Sequence, residues 1–269
     1  MKAYINNASL HYVEEGVTDG LPVIFLHGFP FSHKMWVGQL AVLSPFCRSI
    51  AYDLRGHGMS DVGDGQFSVD THVDDLIALL DVLKIERVTI VGLSMGGYVT
   101  LRALERNPER FVAAVLCDTK SEGDSNEAKI RRFSGAKMVK VDGSTSFADG
   151  FVKAVFAPDS FDRNPGAVAM IRRIIEKTSP LSIAGTLLAL ASRPDTTESL
   201  SKIAVPTLIL VGEKDVITPP QASRSMHEKI PGSELHIISR AAHMSNLENP
   251  EEFNGKLTGF LKKIAAARG

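Results

Sequence analysis

The stretch Val88-Thr89-Ile90-Val91-Gly92-Leu93-Ser94-Met95-Gly96-Gly97-Tyr98 constrains this chain more than any other. A short β-branched run leads into Gly-x-Ser-x-Gly, and a helical pattern starts at once. A serine hydroxyl free to rotate in solvent is a poor nucleophile. A sharp strand-to-helix turn holds it out at the carboxyl end of a sheet and aims the first helical N–H groups at the same spot. That turn is strained and closely packed, so it needs small neighbours, and Gly92, Gly96 and Gly97 supply them. The five-residue pattern also arises by chance. Its weight depends on whether the chain supplies a base, an orienting acid and oxyanion donors in the right places.

Along the chain, Lys2 to Ile5 and Ser9 to Glu14 read as a hairpin around Asn6-Asn7. Pro22 to Leu26, Arg48 to Tyr52, Arg87 to Val91 and Phe111 to Cys117 are apolar runs that predict buried strands. Helical spacing predicts helices over His33 to Leu43, Val69 to Leu83 and Met95 to Asn107. Strand and helix in alternation argue for a mostly parallel sheet flanked by helices. From Thr119 to Asp195 the alternation stops. Helical segments near Asn126–Val139, Ser144–Phe156, Pro165–Thr178 and Leu181–Ala191 predict a helical cap inserted after the sixth strand. Strands at Pro206 to Val211 and Glu234 to Ile238 and helices at Pro220 to Ile230 and Pro250 to Ala266 complete an expected eight-stranded α/β core. The expected division is 1–118 with 196–269 as core and 119–195 as cap.

At 269 residues the chain can bury a large core without disulfides or metal. A formal net charge of −1 leaves no broad electrostatic footprint for nucleic acid or an anionic membrane. Cys47 and Cys117 lie in apolar strands and read as buried free thiols. No charged-then-apolar leader is read at the start, and no apolar run approaches the roughly 18 residues of a membrane helix. A cytoplasmic protein is expected, as a monomer or weak homodimer. No Cys/His cluster has metal spacing, and neither a dinucleotide fingerprint nor a phosphate loop is present, so no metal and no cofactor are expected.

In a strand–turn–helix fold of this kind a serine triad runs nucleophile, acid, base along the chain, each member on a loop after a strand. Of eight histidines, His243 stands after the last strand and before the last helix, and is the candidate base. His11, His33, His72 and His227 read as solvated, and His236 as a packing residue. Gly212-Glu213-Lys214-Asp215 follows the strand at Thr207–Val211, making Asp215 the candidate acid. Asp118, also at a strand end, is its rival. Oxyanion stabilisation needs two N–H donors. Met95 offers one, and Phe29 in His27-Gly28-Phe29-Pro30 offers the other.

These segments, with Asp53-Leu54-Arg55-Gly56-His57-Gly58-x-Ser60 and Glu248-x-Pro250 downstream of His243, resemble the α/β-hydrolase superfamily over nearly the whole chain outside the cap. Within it the chain is similar to small bacterial carboxylesterases and to 3-oxoadipate enol-lactonase-like hydrolases. Ala242 stands where the family usually has glycine. The resemblance makes the Asp53 to Ser60 loop structural, and Ser94 argues against the aspartate-nucleophile dehalogenases and epoxide hydrolases of this fold. It implies a serine esterase for small, mainly apolar acyl groups. Gly28, Phe133, Phe151, Phe156, Met170, Leu187, Leu188 and Met244 are then candidate pocket walls. A lactonase would need a cation for the substrate carboxylate. Arg131, Arg132, Arg172 and Arg173 are candidates, although paired helical arginines are usually solvated. A third reading is a ligand-sensing member with very slow turnover.

Overall fold

A computed structural model describes residues 1–267. Strands β1 (Lys2–Ile5) and β2 (Ala8–Gly16) form a hairpin whose turn residues, Asn6 and Asn7, both adopt positive φ. Asparagine tolerates that conformation better than most residues. Strands β3 (Leu21–Leu26), β4 (Cys47–Tyr52), β5 (Val88–Leu93), β6 (Phe111–Cys117), β7 (Thr207–Gly212) and β8 (Glu234–Ile238) continue an eight-stranded sheet in the order β1-β2-β4-β3-β5-β6-β7-β8. Pairing is antiparallel from β1 through β2 to β4 and parallel everywhere else. All residues of β5 and β7 are buried, which is why their sequences are continuously apolar rather than alternating.

Helix α1 (Val37–Leu43), entered through a 3-10 turn at His33–Trp36, packs on α10 (Pro250–Ala266), while α2 (Val69–Val82) packs on α3 (Met95–Arg106). Helices α8 (Pro220–Lys229) and α9 (Ser245–Glu248) complete the core layers. Between β6 and β7 lie α4 (Asn126–Val155), α5 (Ser160–Arg163), α6 (Pro165–Lys177) and α7 (Pro180–Ala191), the helical insertion. The two helices expected at its start run together as α4 but are bent at Gly143, whose φ of 80° and ψ of 171° no helix accommodates. Glycine pays no Cβ penalty there.

The insertion joins the core through a stitched neck. Thr196 N–H donates to the Ser121 carbonyl at 3.1 Å and Gly123 N–H to Asp195 at 3.0 Å. Buried Arg193 pairs with buried Asp124, which Arg132 also holds, and the Arg193 guanidinium lies 4.2 Å over the Tyr98 ring. That cation–π contact ties the neck to the helix that follows Ser94.

Three histidine expectations are corrected. His11, His33 and His72 are buried, not solvated, because β2, the 3-10 turn and α2 each turn these positions toward the core. His227 is exposed, and His236 is partly exposed on the edge strand β8. Cys47 and Cys117 are buried free thiols. No single helix among the described residues is long and apolar enough to cross a membrane.

Candidate active site

Ser94 occupies the junction of β5 and α3 with φ 55° and ψ −112°, a conformation few non-glycine residues adopt. Its surroundings hold it there. Ser94 N–H donates to the Cys117 carbonyl at 2.9 Å, and the Ser94 carbonyl accepts from Tyr98 N–H at 3.1 Å and from the Thr119 hydroxyl at 2.9 Å. The glycines are packing requirements: a Cβ on Gly92 would collide with the Gly96 carbonyl, and one on Gly96 with the Leu26 carbonyl.

His243 Nε2 lies 2.9 Å from Ser94 Oγ, and His243 Nδ1 lies 2.8 Å from Asp215 Oδ2. All three residues are buried or nearly so; Ser94, at 9% exposure, is the most exposed of them. Asp215 is fixed before histidine meets it. Its Oδ1 accepts from Ile217 N–H at 2.8 Å and Thr218 N–H at 3.1 Å, and its Oδ2 accepts from the Thr218 hydroxyl at 2.8 Å. Since Asp215 can only accept at these contacts, His243 Nδ1 carries the proton and Nε2 faces Ser94 as an acceptor.

The electrostatics reinforce the arrangement. Burial opposes charge on His243, but Asp215, assisted by Asp118 and Glu248, outweighs it and raises the imidazole above its ordinary value. Burial likewise pushes Asp215 up, and the facing His243 with the Thr218 donors brings it below the usual carboxylate range. Asp118, the rival acid, makes no hydrogen bond to His243. It accepts from Gly212 N–H at 2.8 Å and from the Ser245 hydroxyl. Burial, then the nearby Asp215 charge, pushes it well above the carboxylate range.

On the other side of Ser94, neither Phe29 N–H nor Met95 N–H meets an acceptor among the described residues. Met95 is the first residue of α3, where an N–H has no intrahelical partner. The loop carrying Phe29 is anchored by His27, whose Nδ1–H donates to the Gly28 carbonyl at 2.8 Å while Nε2 accepts from Leu54 N–H at 3.0 Å. Complete burial lowers His27 to about 4, so it stays neutral and keeps both bonds. Asp53 pins the adjoining turn by accepting from His33 N–H at 2.7 Å, His33 Nδ1–H at 2.8 Å and Met59 N–H at 2.9 Å. His11, His33 and Asp53 place their ligand atoms within 4.8 Å of one another, the one cluster among the described residues with metal-ligand composition. The carboxylate's bonds to this turn give the cluster a structural use.

The pocket expectations divide. Phe151 stands edge-on to Phe29 at 5.7 Å, and Phe147, which the sequence reading missed, stacks on Phe151 at 5.2 Å and meets Phe29 at 6.0 Å. Both rings also line a 330 Å³ cleft along α4. Phe133 and Leu188 are instead 52% and 44% exposed, because the stripes of α4 and α7 that pack together leave these positions outward. Met170 lines a separate 420 Å³ cleft with Lys34, Arg173 and Lys177 that contains no residue of the Ser94 cluster. Phe156 and Leu187 are buried, Leu187 packing against Gly135 of α4. Gly28 fits tightly between Leu93 and Phe31, and Met244 is fully buried in the core. Thr218 also escaped the sequence reading, and Glu248 was quoted there only as part of a family motif, with no role. Their side chains act on Asp215 and on the backbone beside His243, and nothing in their spacing announces that.

A strained serine at a strand–helix junction, a histidine and carboxylate in line with it, and this strand order define an α/β-hydrolase architecture. The chain belongs to the α/β-hydrolase fold family, which residues 22–250 match. It is 30% identical to 3-oxoadipate enol-lactonase 2 of Acinetobacter baylyi, covering 96% of this chain and 95% of that one. Among solved structures it is similar to a thermophilic esterase from Thermogutta terrifontis, at 33% identity, a TM-score of 0.94 and 98% coverage of both chains. It is also similar to the enol-lactonase from Burkholderia xenovorans LB400, at 29% identity, a TM-score of 0.92 and coverage of 97% of this chain and 100% of that one. This chain is therefore a hydrolase of that family.

Proposed function

We propose that the chain is a serine carboxylesterase acting on small, mainly apolar acyl esters. The observation that carries the reading is the hydrogen-bonded series from Ser94 Oγ through His243 to Asp215. As Ser94 Oγ attacks the ester carbonyl carbon, His243 Nε2 takes its proton, and Asp215 holds the imidazolium in place through Nδ1–H. Phe29 and Met95 N–H groups receive the oxyanion, a contribution of about 3 kcal/mol per donor in such sites. Collapse of the tetrahedral species breaks the carbonyl–alkoxy bond, and His243 returns the proton to the departing alkoxide. Water, deprotonated by the same imidazole, then frees the acyl group. Of the expected core, 1–118 and 196–269, the described residues up to 267 form the catalytic core in this reading, 268–269 lying outside them, and 119–195 roof it.

Phe147 and Phe151 of the roof, packed on Phe29 of the core, favour apolar acyl groups. Hydrolysis of an enol-lactone is the second reading, favoured by the enol-lactonases this chain resembles. It would call for a free cation near Ser94. Arg132 and Arg193 are instead engaged by Asp124, and Arg172 by Asp149. The test is a panel of p-nitrophenyl acetate, butyrate and octanoate run beside a muconolactone-derived enol-lactone. Short esters are expected to give the highest kcat/KM, and Ser94→Ala should lose turnover of every substrate. A lactone preference of about a hundredfold would reverse the order of the two readings.

A further inference from the structure

Glu248 is buried beyond the reacting groups, at the end of α9, with 2% exposure. Its two carboxylate oxygens serve different parts of the molecule. Oε1 accepts from Ala242 N–H at 2.8 Å and Met244 N–H at 3.2 Å, the backbone N–H groups of the two residues on either side of His243. Oε2 accepts from Ala157 N–H at 2.8 Å and the Ser160 hydroxyl at 2.6 Å, both at the corner where the insertion turns from α4 into α5. None of the four donors carries a charge. A buried carboxylate is costly to hold without a cation, and four convergent donors are the arrangement that makes it tolerable.

We propose that Glu248 is a positioning residue that sets the His243 loop and couples it to the cap corner at Ala157–Ser160. This rests on the reading of His243 as the base. Two clamped peptide groups, one on each side of His243, leave its backbone little freedom, so the imidazole meets Ser94 and Asp215 without searching. The same carboxylate binds the cap, so a shift of the Ala157–Ser160 corner is transmitted to the base through a single side chain. The carboxyl groups facing His243 are Asp215 from the loop after β7, Asp118 from the end of β6 and Glu248 from α9. An ionised carboxylate here favours the imidazolium, Asp215 most of all, whereas Asp118 is pushed by burial toward its neutral form; removing the Glu248 carboxylate therefore lowers the pH at which the base becomes active.

The experiment compares wild type, Glu248→Gln, Glu248→Asp and Ser160→Ala in p-nitrophenyl butyrate hydrolysis across pH, with unfolding midpoints measured alongside. It also follows the His243 imidazole by NMR titration, which reads the base even if the chain does not turn over this ester. Glu248→Gln presents an amide N–H to N–H donors. It is expected to lower kcat about tenfold or more, the scale of one lost buried hydrogen bond, with KM within about threefold. Its acid limb and the imidazole titration should both move to lower pH. Glu248→Asp keeps the charge and should restore the limb while leaving kcat depressed. Ser160→Ala removes only the hydroxyl that donates to Oε2 and keeps the Ala242 and Met244 donors to Oε1, and should lower kcat about two- to fivefold. An unchanged limb and titration in Glu248→Gln, or a kcat loss accounted for by unfolding alone, would overturn the positioning role; unchanged kcat in Ser160→Ala would overturn the coupling to the cap. Absent ester turnover in wild type, with the imidazole still shifting in Glu248→Gln, would count against the esterase reading and leave the positioning role standing.

Discussion

At the scale of single residues, the question is which carboxylate serves His243. Both Asp118 and Asp215 end parallel strands, so chain order alone did not separate them. The difference is in backbone direction. Asp118 sits at a φ of 44°, which sends its carboxyl group to Gly212 N–H and Ser245, whereas Asp215 meets the imidazole directly. Asp215→Asn should therefore leave the fold intact and lower kcat by about 10⁴, because an amide no longer fixes the productive tautomer. Asp118→Asn should cost less than about tenfold at neutral pH, since burial already favours its protonated form. Steady-state kinetics on the two purified variants checks this, and equal losses would return Asp118 to the triad. Ser94, His243, Phe29 and Met95 were legible because each follows a strand in a fixed chain order. Thr218, and the role of Glu248 beyond its place in a family motif, were not, since their side chains act on partners that only the folded loops bring close.

The elements were legible to the degree that one physical requirement governed each. The parallel strands are buried on both faces, so they read as continuous apolar runs, and β5 and β7 coincide closely with the expected segments. The insertion was legible as helices but not as a surface. Phe133 and Leu188 are apolar without being inward, and the packing of α4 on α7 rather than composition decides which residues face the site. Histidine burial was hidden for a similar reason: polar neighbours in sequence say little about a side chain that a turn or strand directs inward. The turn that carries Ser94 is the most sharply determined element. Gly96→Ala should destabilise the protein by about 2 kcal/mol or more, because the added methyl meets the backbone of β3, which cannot give way as a side chain can. Urea denaturation with Trp36 fluorescence measures it, and a loss under about half a kcal/mol would mean that the turn has room to spare.

For the molecule as a whole, the sheet brings distant segments to one place. Phe29 follows β3, Ser94 follows β5, Asp215 follows β7 and His243 follows β8, and parallel pairing puts all four loops at the carboxyl ends of neighbouring strands. The insertion after β6 then lies over them, tied down at its neck by Arg193 and Asp124 and at its far corner by Glu248. The sequence announced this convergence through order and spacing, while the cap's two anchors emerged only from side-chain geometry. The central claim is that Ser94 becomes acylated during turnover. Rapid mixing with p-nitrophenyl acetate, acid quench and peptide mass analysis test it directly. A transient acetyl adduct on the peptide bearing Ser94, accompanied by a burst of p-nitrophenol and absent from Ser94→Ala, is the expected result. Full turnover by Ser94→Ala, or an adduct on another residue at the kinetically competent time, would contradict it.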